Sequence, residues 1–594
     1  MTVKTLLSLL FCAFLATGFT QKINYTLRMD RPQTHYFQVE MEITGFNESE
    51  FDVKMPVWSP GSYLVREFAK NVDQVVAVDD KNQELPIEKT SKNTWHIKKG
   101  KAKKVTVLYE VYAFELSVRT SFLDLTHGFV SGSGVFMYVP NHKKEKGTLL
   151  VKLYKEFKKI TTALPLSAES QASDGVKTYA YNNYDHLVDC PLEIGNQEIF
   201  DFTAAGVKHT VGIYGKGNYD STKMKTDMAK IVTAATDVFK ENPNKEYTFI
   251  IHNVEDGQGG LEHTNSTTLS VNRWTYQGAA YTGFLSLVAH EYFHLWNVKR
   301  IRPFELGPFN YDEENYTTLL WVMEGFTSYY DELLLLRAGY YTQDDYLSKL
   351  NGTMNYVEGS LGSRIQPLAD ASFDAWIKAY RPNENSSNTT MTYYSRGQLM
   401  AAQFDAMIVA KYEGEKCLDD FMQLLYNKYF KKQDRGFTDK EFQDDLSAFL
   451  DEDMTDFFDR FIRGTEIPEY EKHFSKVGIN VNRGTVTETS FGGRYSDAGG
   501  KTMIRSIRRG SAAEDEGFSV NDEIIAVNGF RIDSEDFSAA LNTLKKGETL
   551  DVLISRDNVI MKLKATIKDY SYPKFLLSMD ESVPEKALGD YWLR

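Results

Sequence analysis

The sequence predicts a multidomain α+β protein, because the periodicity of its apolar residues changes twice along 594 residues. From Lys22 to about Cys190, apolar and polar residues alternate, which is typical of half-buried antiparallel strands. Near residue 222 the period becomes helical, and strand-like runs return between Ser475 and Lys568. At roughly 150 residues per domain, this length allows about three or four domains. We therefore expect a β-rich first region, a mostly helical second region and a β-rich third region.

Individual segments support each region. In the first, apolar residues of one strand face recur at every second position: Phe37, Val39, Met41 and Ile43. The second opens on a helix with an apolar face at Met224, Met228, Ile231, Ala235, Val238 and Phe239. The third contains predicted strands at Thr502–Ile507, Asp522–Val527, Leu550–Ile554 and Val559–Ala565, with a helix at Ser534–Leu544. These patterns place the domains at 21–195, 196–474 and 475–570, and residues 571–594 remain a tail without assigned structure.

Residues 1–20 have the composition of a secretory signal peptide. Lys4 precedes an apolar run from Leu6 to Ala16, and small residues follow at a plausible cleavage site. The run is too short to span a bilayer, and no later segment is long and apolar enough to do so. The sequence therefore predicts an exported protein, periplasmic or secreted, without a transmembrane anchor.

The overall charge argues against one class of partner. Lys plus Arg number 68 and Asp plus Glu number 82, which gives a net charge of −14. An acidic chain has no general electrostatic attraction to a phosphate backbone. We therefore expect no nucleic-acid partner.

The segment Leu285–Trp296 contains the clearest chemical motif. His290 and His294 are four residues apart, so on a helix they lie one turn apart on the same face, where both imidazoles can bind one zinc ion. Glu291 is offset by about 100° around the helix, near a metal-bound water but not obliged to bind the metal. This spacing predicts a catalytic zinc site with Glu291 as the general base.

A catalytic zinc ion usually has three protein ligands, so a third must lie elsewhere in the chain. Glu313 lies in a segment that reads as a loop, whereas Glu324 lies in the apolar helical segment Leu319–Tyr330. A carboxylate in an apolar segment is costly to bury unless it is paired or binds a metal. The sequence therefore favours Glu324 over Glu313.

Three segments resemble the gluzincin metallopeptidases, and specifically the glycyl aminopeptidase family. They are His290–Pro303 (HEYFHLWNVKRIRP), Trp321–Tyr330 (WVMEGFTSYY) and Tyr393–Gly397 (YYSRG). The resemblance implies a thermolysin-like catalytic domain in the second region. It also implies one Zn²⁺ per chain, held by His290, His294 and Glu324, with Glu291 as the general base.

The same resemblance suggests roles in binding the substrate and the oxyanion. Tyr394 is similar to the tyrosine before x-Lys-Gly in aminopeptidase N-like enzymes, which donates a hydrogen bond to the tetrahedral oxyanion. Arg396 stands where that pattern has Lys, and Tyr393 is the neighbouring alternative.

The segment Gly259–His263 (GGLEH) is similar to the Gly-x-Met-Glu-Asn strand that binds the substrate ammonium, which assigns that role to Glu262. His263 replaces the Asn of that pattern. Gly259 and Gly260 would let the substrate backbone approach closely.

The third region resembles a PDZ domain. The similar segments are Ser490–Gly493 (SFGG), Ile507–Ala513 and Gly517–Gly529. PDZ domains bind an extended peptide along a sheet edge, with backbone N–H groups around its terminal carboxylate. The resemblance makes Phe491–Gly493 the carboxylate loop, with a peptide C-terminus or a partner protein as its ligand.

Together these patterns predict an exported zinc aminopeptidase that acts on peptide substrates. Its preference for small N-terminal residues such as Gly or Ala follows from the resemblance alone. One alternative is an endopeptidase with the same zinc chemistry, in which Glu262 binds no amine. Another is a PDZ-type binding protein with a vestigial zinc site.

Overall fold

The computed structural model describes residues 21–168, 170 and 175–594, and the predicted signal peptide lies outside them. The chain forms two compact units. Of the described residues, the first contains 21–57 and 67–196, and the second contains Trp58–Arg66 and Gln197–Arg594. A nine-residue segment of the predicted β-rich region thus belongs to the second unit. Among the described residues, no helix combines the length and apolar character needed to cross a membrane.

The described residues of the first unit form three sheets and one short α-helix. Its strands are β1 (Lys22–Arg28), β2 (Tyr36–Thr44), β3 (Glu50–Lys54), β4 (Val72–Val78), β5 (Ile87–Ser91), β6 (Thr94–Lys98), β7 (Lys104–Tyr112), β8 (Phe122–Leu123), β9 (Gly128–Val130), β10 (Gly147–Lys152), β11 (Lys159–Thr162), β12 (Val176–Tyr181) and β13 (Leu192–Gly195). Helix α1 spans Tyr184–Val188. The sheet orders are β12-β10-β1-β2-β7-β4, β11-β13-β9-β8 and β3-β6-β5. The alternating face predicted for β2 is confirmed, because Phe37, Val39, Met41 and Ile43 are all buried.

The second unit begins with a five-stranded sheet. Its strands are β14 (Glu198–Ala204), β15 (Val207–Tyr214), β16 (Glu246–Val254), β17 (Gly260–Glu262) and β18 (Ser266–Asn272), in the order β14-β15-β16-β18-β17. The central strands β15, β16 and β18 are parallel, and β17 is an antiparallel edge strand. The continuous apolar run in β16 fits its position between two parallel neighbours.

Helices make up most of the rest of the second region, as predicted. They are α2 (Ser221–Phe239), α3 (Gly278–Phe293), α4 (Leu320–Arg337), α5 (Gln343–Gly359), α6 (Leu368–Phe373), α7 (Ser386–Thr389), α8 (Tyr393–Lys411), α9 (Leu418–Leu425), α10 (Asp439–Leu450), α11 (Thr455–Phe457) and α12 (Tyr470–Phe474). The predicted first helix is confirmed as α2, whose N-terminus is capped by the Asp220 side chain. Its predicted apolar face is buried in full.

Helices α4 and α8 cross with their backbones in direct contact. A Cβ atom on Gly325 would collide with the Cα of Gly397, and one on Gly397 would lie 2.5 Å from the carbonyl oxygen of Trp321. Only glycine at both positions permits this approach. The crossing matters for the site, because Glu324 precedes Gly325 and Tyr394 lies one turn before Gly397.

The third region shares the second unit. Its strands are β19 (Ile479–Ser490), β20 (Gly493–Ala498), β21 (Lys501–Ile507), β22 (Glu523–Val527), β23 (Phe530–Arg531), β24 (Leu550–Arg556), β25 (Val559–Ala565) and β26 (Lys568–Met579). Its helices are α13 (Ala512–Asp515), α14 (Ser534–Asn542) and α15 (Lys586–Trp592). The main sheet has the order β20-β21-β22-β24-β25, and β19 pairs with β26 as a separate ribbon. The predicted strands and helix thus match β21, β22, β24, β25 and α14 closely.

The residues after 570 are structured, although the sequence led us to leave them as a tail. Strand β26 continues to Met579, and the indole of Trp592 on α15 donates to the hydroxyl of Tyr329 on α4 at 2.9 Å. Pro573 within β26 explains why the pattern was not recognised as a strand, since proline is depleted from sheet interiors. In a two-stranded ribbon it is tolerated.

Candidate metal centre and substrate site

Helix α3 presents His290 and His294 side by side, with their ring centroids 4.7 Å apart. The Nδ1 of His290 lies 2.9 Å from a carboxylate oxygen of Asp331, and the Nδ1 of His294 lies 2.6 Å from the carbonyl oxygen of Asn297. Both partners are acceptors, so each Nδ1 carries the proton and each Nε2 offers a lone pair. Two nitrogen ligands are thereby oriented in advance.

Glu324 on α4 faces both Nε2 atoms. Its Oε2 lies 3.5 Å from Nε2 of His290 and 3.3 Å from Nε2 of His294. Burial alone would raise the pKa of Glu324, but the charges and hydrogen bonds of the two imidazoles outweigh it and lower that pKa to about 2. The carboxylate is therefore ionised, as a metal ligand must be.

These three atoms fit a tetrahedral zinc ion. Zinc binds nitrogen and carboxylate oxygen at about 2.0–2.2 Å, and ligands at tetrahedral angles on such bonds lie about 3.3–3.5 Å apart. The two observed Nε2–Oε2 separations fall in this range. A set of two histidines and one glutamate is also the ligand set of hydrolytic zinc enzymes. The residues present therefore fit the zinc ion that the sequence implied.

Glu291 lies on the same helix with a carboxylate oxygen that has no partner. Its Oε2 is buried without a hydrogen bond, and a Cβ atom on Gly260 of β17 would lie 2.4 Å from the Cδ and Oε1 of Glu291. Burial raises the pKa of Glu291 to about 7; the Glu262 and Glu324 carboxylates add to the rise, and the two imidazoles oppose it. A general base works best with a pKa near the operating pH.

Glu262 occupies the edge strand β17, as the resemblance implied, and is buried. Ligand atoms of Glu262, Glu291 and His294 lie within 4.8 Å of one another. Gly259 has φ +107° and an open space where a side chain would project, and its carbonyl accepts from the amide of Ser270 on β18. Strand β17 thus brings Gly260 and Glu262 to the metal cluster, and Gly259 immediately precedes this strand.

The structure distinguishes the two candidate tyrosines at the start of α8. Tyr393 is fully buried, and its ring stacks on that of Tyr394 with centroids 4.7 Å apart. Tyr394 is half-buried, and its ring stacks on the imidazole of His290 with centroids 6.3 Å apart. Only Tyr394 is both next to the metal ligands and partly exposed.

Arg396, which replaces the Lys of the family pattern, is fully buried and points elsewhere. Its guanidinium donates to the carbonyl oxygens of Ser363, Phe461 and Glu466 at 3.0–3.3 Å. Burial lowers its pKa. Arg396 therefore joins α8 to the segments that contain Ser363 and Phe461–Glu466. Arginine in place of the family's lysine does not displace Tyr394 from His290.

Glu313, the rejected ligand candidate, lies outside the cluster. Its side chain is exposed, and Oε1 accepts from the Asn310 side chain at 2.8 Å. The physical argument that favoured Glu324 thus agrees with the geometry.

Two positioning residues were missed in the sequence. Asp331 follows Glu324 by seven residues, two turns along the same helix face, so helical spacing alone could have suggested it. Asn297 donates through Nδ2 to the carbonyl oxygens of Val322 and Met323, at 3.0 Å each, and so joins the segment after α3 to the turn that carries Glu324. No local signal identifies Asn297, because its partners belong to another helix.

We expect Asp331→Asn to lower zinc affinity about 10- to 100-fold, the usual effect of losing a carboxylate that orients a ligating histidine. The measurement is competition for zinc against a chromophoric chelator. Asp344→Asn, at an exposed position in the first turn of α5, is the matched control. Equal zinc affinity in the two variants would contradict a supporting role for Asp331.

In the third region, strand β20 forms the edge of its sheet next to α14. Phe491 of the preceding loop is buried against Phe518 and Phe537, with ring centroids 4.9 and 5.6 Å away. Between strand and helix, the hydroxyls of Tyr495 and Ser538 are 2.8 Å apart. The arrangement has the loop, edge strand and helix that peptide capture requires.

Comparison with known proteins agrees with this geometry. The sequence matches the family models of the Peptidase M61 N-terminal domain over residues 24–196, the M61 glycyl aminopeptidase over 283–400 and the PDZ domain over 478–567. A crystal structure of an aminopeptidase N family protein from Idiomarina loihiensis superposes with a TM-score of 0.88 at 29% identity, over 96% of this chain and all of that one.

A mutant of the M1 zinc metallopeptidase from Deinococcus radiodurans shares the fold more distantly. Its TM-score is 0.50 at 13% identity, over 76% of this chain and 95% of that one. No curated protein matches the chain.

The fold and the two-histidine, one-glutamate centre define a zinc metallopeptidase. The three matched domains, in this order, are more specific: the chain belongs to the M61 glycyl aminopeptidase family and carries a C-terminal PDZ domain.

Proposed function

We propose that this chain is an aminopeptidase that hydrolyses the N-terminal peptide bond of peptides and favours small first residues such as Gly or Ala. The observation that carries the proposal is the position of Glu262, whose carboxylate lies within 4.8 Å of ligand atoms of Glu291 and His294. In a peptide, the amine nitrogen and the first carbonyl carbon are only about 2.5 Å apart. An ammonium bound to Glu262 would therefore present the first peptide bond to the metal centre.

The chain's own residues supply the remaining chemistry. A zinc ion held by His290, His294 and Glu324 would supply Lewis-acid activation of water and of the substrate carbonyl. Glu291 takes the proton of the attacking water on its unpartnered Oε2 and returns it to the leaving amine. The Tyr394 phenol donates a hydrogen bond to the developing oxyanion. Glu262 pairs with the ammonium, which explains the requirement for a free N-terminus.

Export and peptide capture complete the proposal. The composition of residues 1–20 supports export to the periplasm or the extracellular medium. The free edge of β20 supports capture of an extended peptide, either a C-terminus or a segment of a partner protein. The complete ligand set of the metal centre argues against a binding protein with a vestigial site.

The test compares Gly- and Ala-arylamides with their N-acetylated forms, using the zinc-loaded protein and its Glu262→Gln variant. We expect wild type to cleave only the free amines. Loss of one charge-assisted hydrogen bond should lower kcat/KM of the variant about 10- to 100-fold. Glu255→Gln, at an exposed position after β16, is the control. Cleavage of the acetylated substrates would identify an endopeptidase instead.

A further inference from the structure

The segment Trp58–Arg66 joins the catalytic unit, although the residues on both sides of it belong to the other unit. Aromatic contacts hold it there. The indole of Trp58 donates to the carbonyl oxygen of Asn310 at 2.8 Å, and its ring packs edge-to-face on Trp376. The ring of Tyr63 packs on Trp376 from the other end of the segment, with centroids 5.6 Å apart. Between these two anchors lies a tight turn.

The turn Ser59–Ser62 requires a glycine for its backbone conformation. The amide of Ser62 donates to the carbonyl oxygen of Ser59 at 3.0 Å, which closes a β-turn with Pro60 and Gly61 at its centre. Gly61 has φ +84°. Proline at the first central position and a positive φ at the second are the signature of a type II turn.

The missing side chain of Gly61 also makes room for Glu262. A Cβ atom on Gly61 would lie 2.5 and 2.7 Å from the two carboxylate oxygens of Glu262 and 2.8 Å from its Cδ. The oxygens are nearer than the carbon, so the carboxylate points towards the turn. Not even a methyl group fits between them.

We propose that the Ser59–Ser62 turn closes the amine end of the substrate site, and that Gly61 is a specificity-determining position that keeps the Glu262 carboxylate free for a terminal ammonium. This inference rests on the proposed function. An ammonium paired with Glu262 lies beside the turn, which leaves little room for a further residue or an acyl group on the same nitrogen. The exclusion of blocked or internal peptide bonds is then steric as well as electrostatic.

Gly61→Ala tests the proposal in the zinc-loaded full chain, with Gly206→Ala as the matched control. Gly206 has φ +76° and open space where a Cβ would lie, so both variants carry the same kind of backbone strain. We expect Gly61→Ala to lower kcat/KM on Gly- and Ala-arylamides about 10- to 100-fold, mainly through KM, because it weakens amine binding. The control should stay within about twofold of wild type.

A double variant separates this role from a merely structural one. If Gly61 acts through Glu262, then Gly61→Ala should cost nothing further in kcat/KM in a Glu262→Gln background. A further loss there, or equal effects of Gly61→Ala and Gly206→Ala, overturns the inference. If Glu262→Gln lowers kcat/KM and Gly61→Ala does not, only the inference about Gly61 is overturned. If Glu262→Gln leaves kcat/KM unchanged, the proposed function is overturned as well.

Should Gly61→Ala fail to fold, the Glu262→Asp background gives the same comparison. Aspartate withdraws the carboxylate by one methylene group and leaves space for the added methyl. The Gly61→Ala/Glu262→Asp protein should then fold and match Glu262→Asp in kcat/KM. An unfolded or less active double variant contradicts the proposal.

Discussion

Glu291→Gln is expected to lower kcat about 10²- to 10⁴-fold on a Gly-arylamide, because the amide cannot take the proton of the attacking water. The zinc content should be unchanged, because the facing ligand atoms belong to His290, His294 and Glu324, and Glu291 contributes none of them. Thermal stability should not fall, because burial raises the pKa of this carboxyl and its ionised form is costly to bury. The measurement is kcat, with metal analysis and a melting curve on the same preparation.

Glu313→Gln is the matched control for this prediction. The Glu313 side chain is exposed and accepts a hydrogen bond from the Asn310 side chain. Activity and zinc content should equal those of wild type. Activity in Glu291→Gln within tenfold of wild type would refute the role of Glu291 as general base, and zinc loss in Glu313→Gln would reopen the choice of third ligand.

Tyr394→Phe is expected to lower kcat about 10²- to 10³-fold with little change in KM, as for the loss of one oxyanion donor. The phenol matters only when charge develops on the carbonyl oxygen, so ground-state binding should be almost unaffected. A transition-state analogue such as a phosphonate should lose affinity in parallel with kcat. Steady-state kinetics and inhibition constants on the same protein check both expectations.

Tyr393→Phe tests the neighbouring hydroxyl with the same chemical change. Tyr393 is fully buried, and it is Tyr394 whose ring stacks on His290, so removal of the Tyr393 hydroxyl should leave kcat unchanged. A large loss in Tyr393→Phe and a small one in Tyr394→Phe would exchange the two assignments.

Much of the fold could be read from local pattern. The alternation in β2, the apolar face of α2 and the strands β21, β22, β24 and β25 each depend on residues near one another in the sequence, and each is confirmed. The ribbon of β19 and β26 was missed, because its two strands are widely separated and one contains Pro573. Periodicity identifies which face of a segment is buried, but it does not identify its partner.

The residues of the candidate site likewise fall into those that local pattern predicts and those that only packing places. His290 and His294 follow from helical spacing, and Glu324 follows from the cost of burying a carboxylate in an apolar helix. The resemblance favoured Tyr394 over Tyr393, and packing places the Tyr394 ring beside His290. Spacing alone could not separate two adjacent tyrosines, because neighbouring residues on a helix point in different directions. The crossing of α4 and α8 at Gly325 and Gly397 sets that geometry.

By itself, the sequence predicted the chemistry that we propose for this protein, namely the three zinc ligands and the general base, together with the order of its regions. These predictions depend on short-range spacing and residue type. Tertiary structure alone decided what surrounds that chemistry. It placed Asp331 behind His290 and brought Gly61 against Glu262 from a segment far away in the chain. The physical reason is that hydrogen-bond spacing and hydrophobic periodicity are local properties, whereas contacts between distant segments exist only once the whole unit has packed.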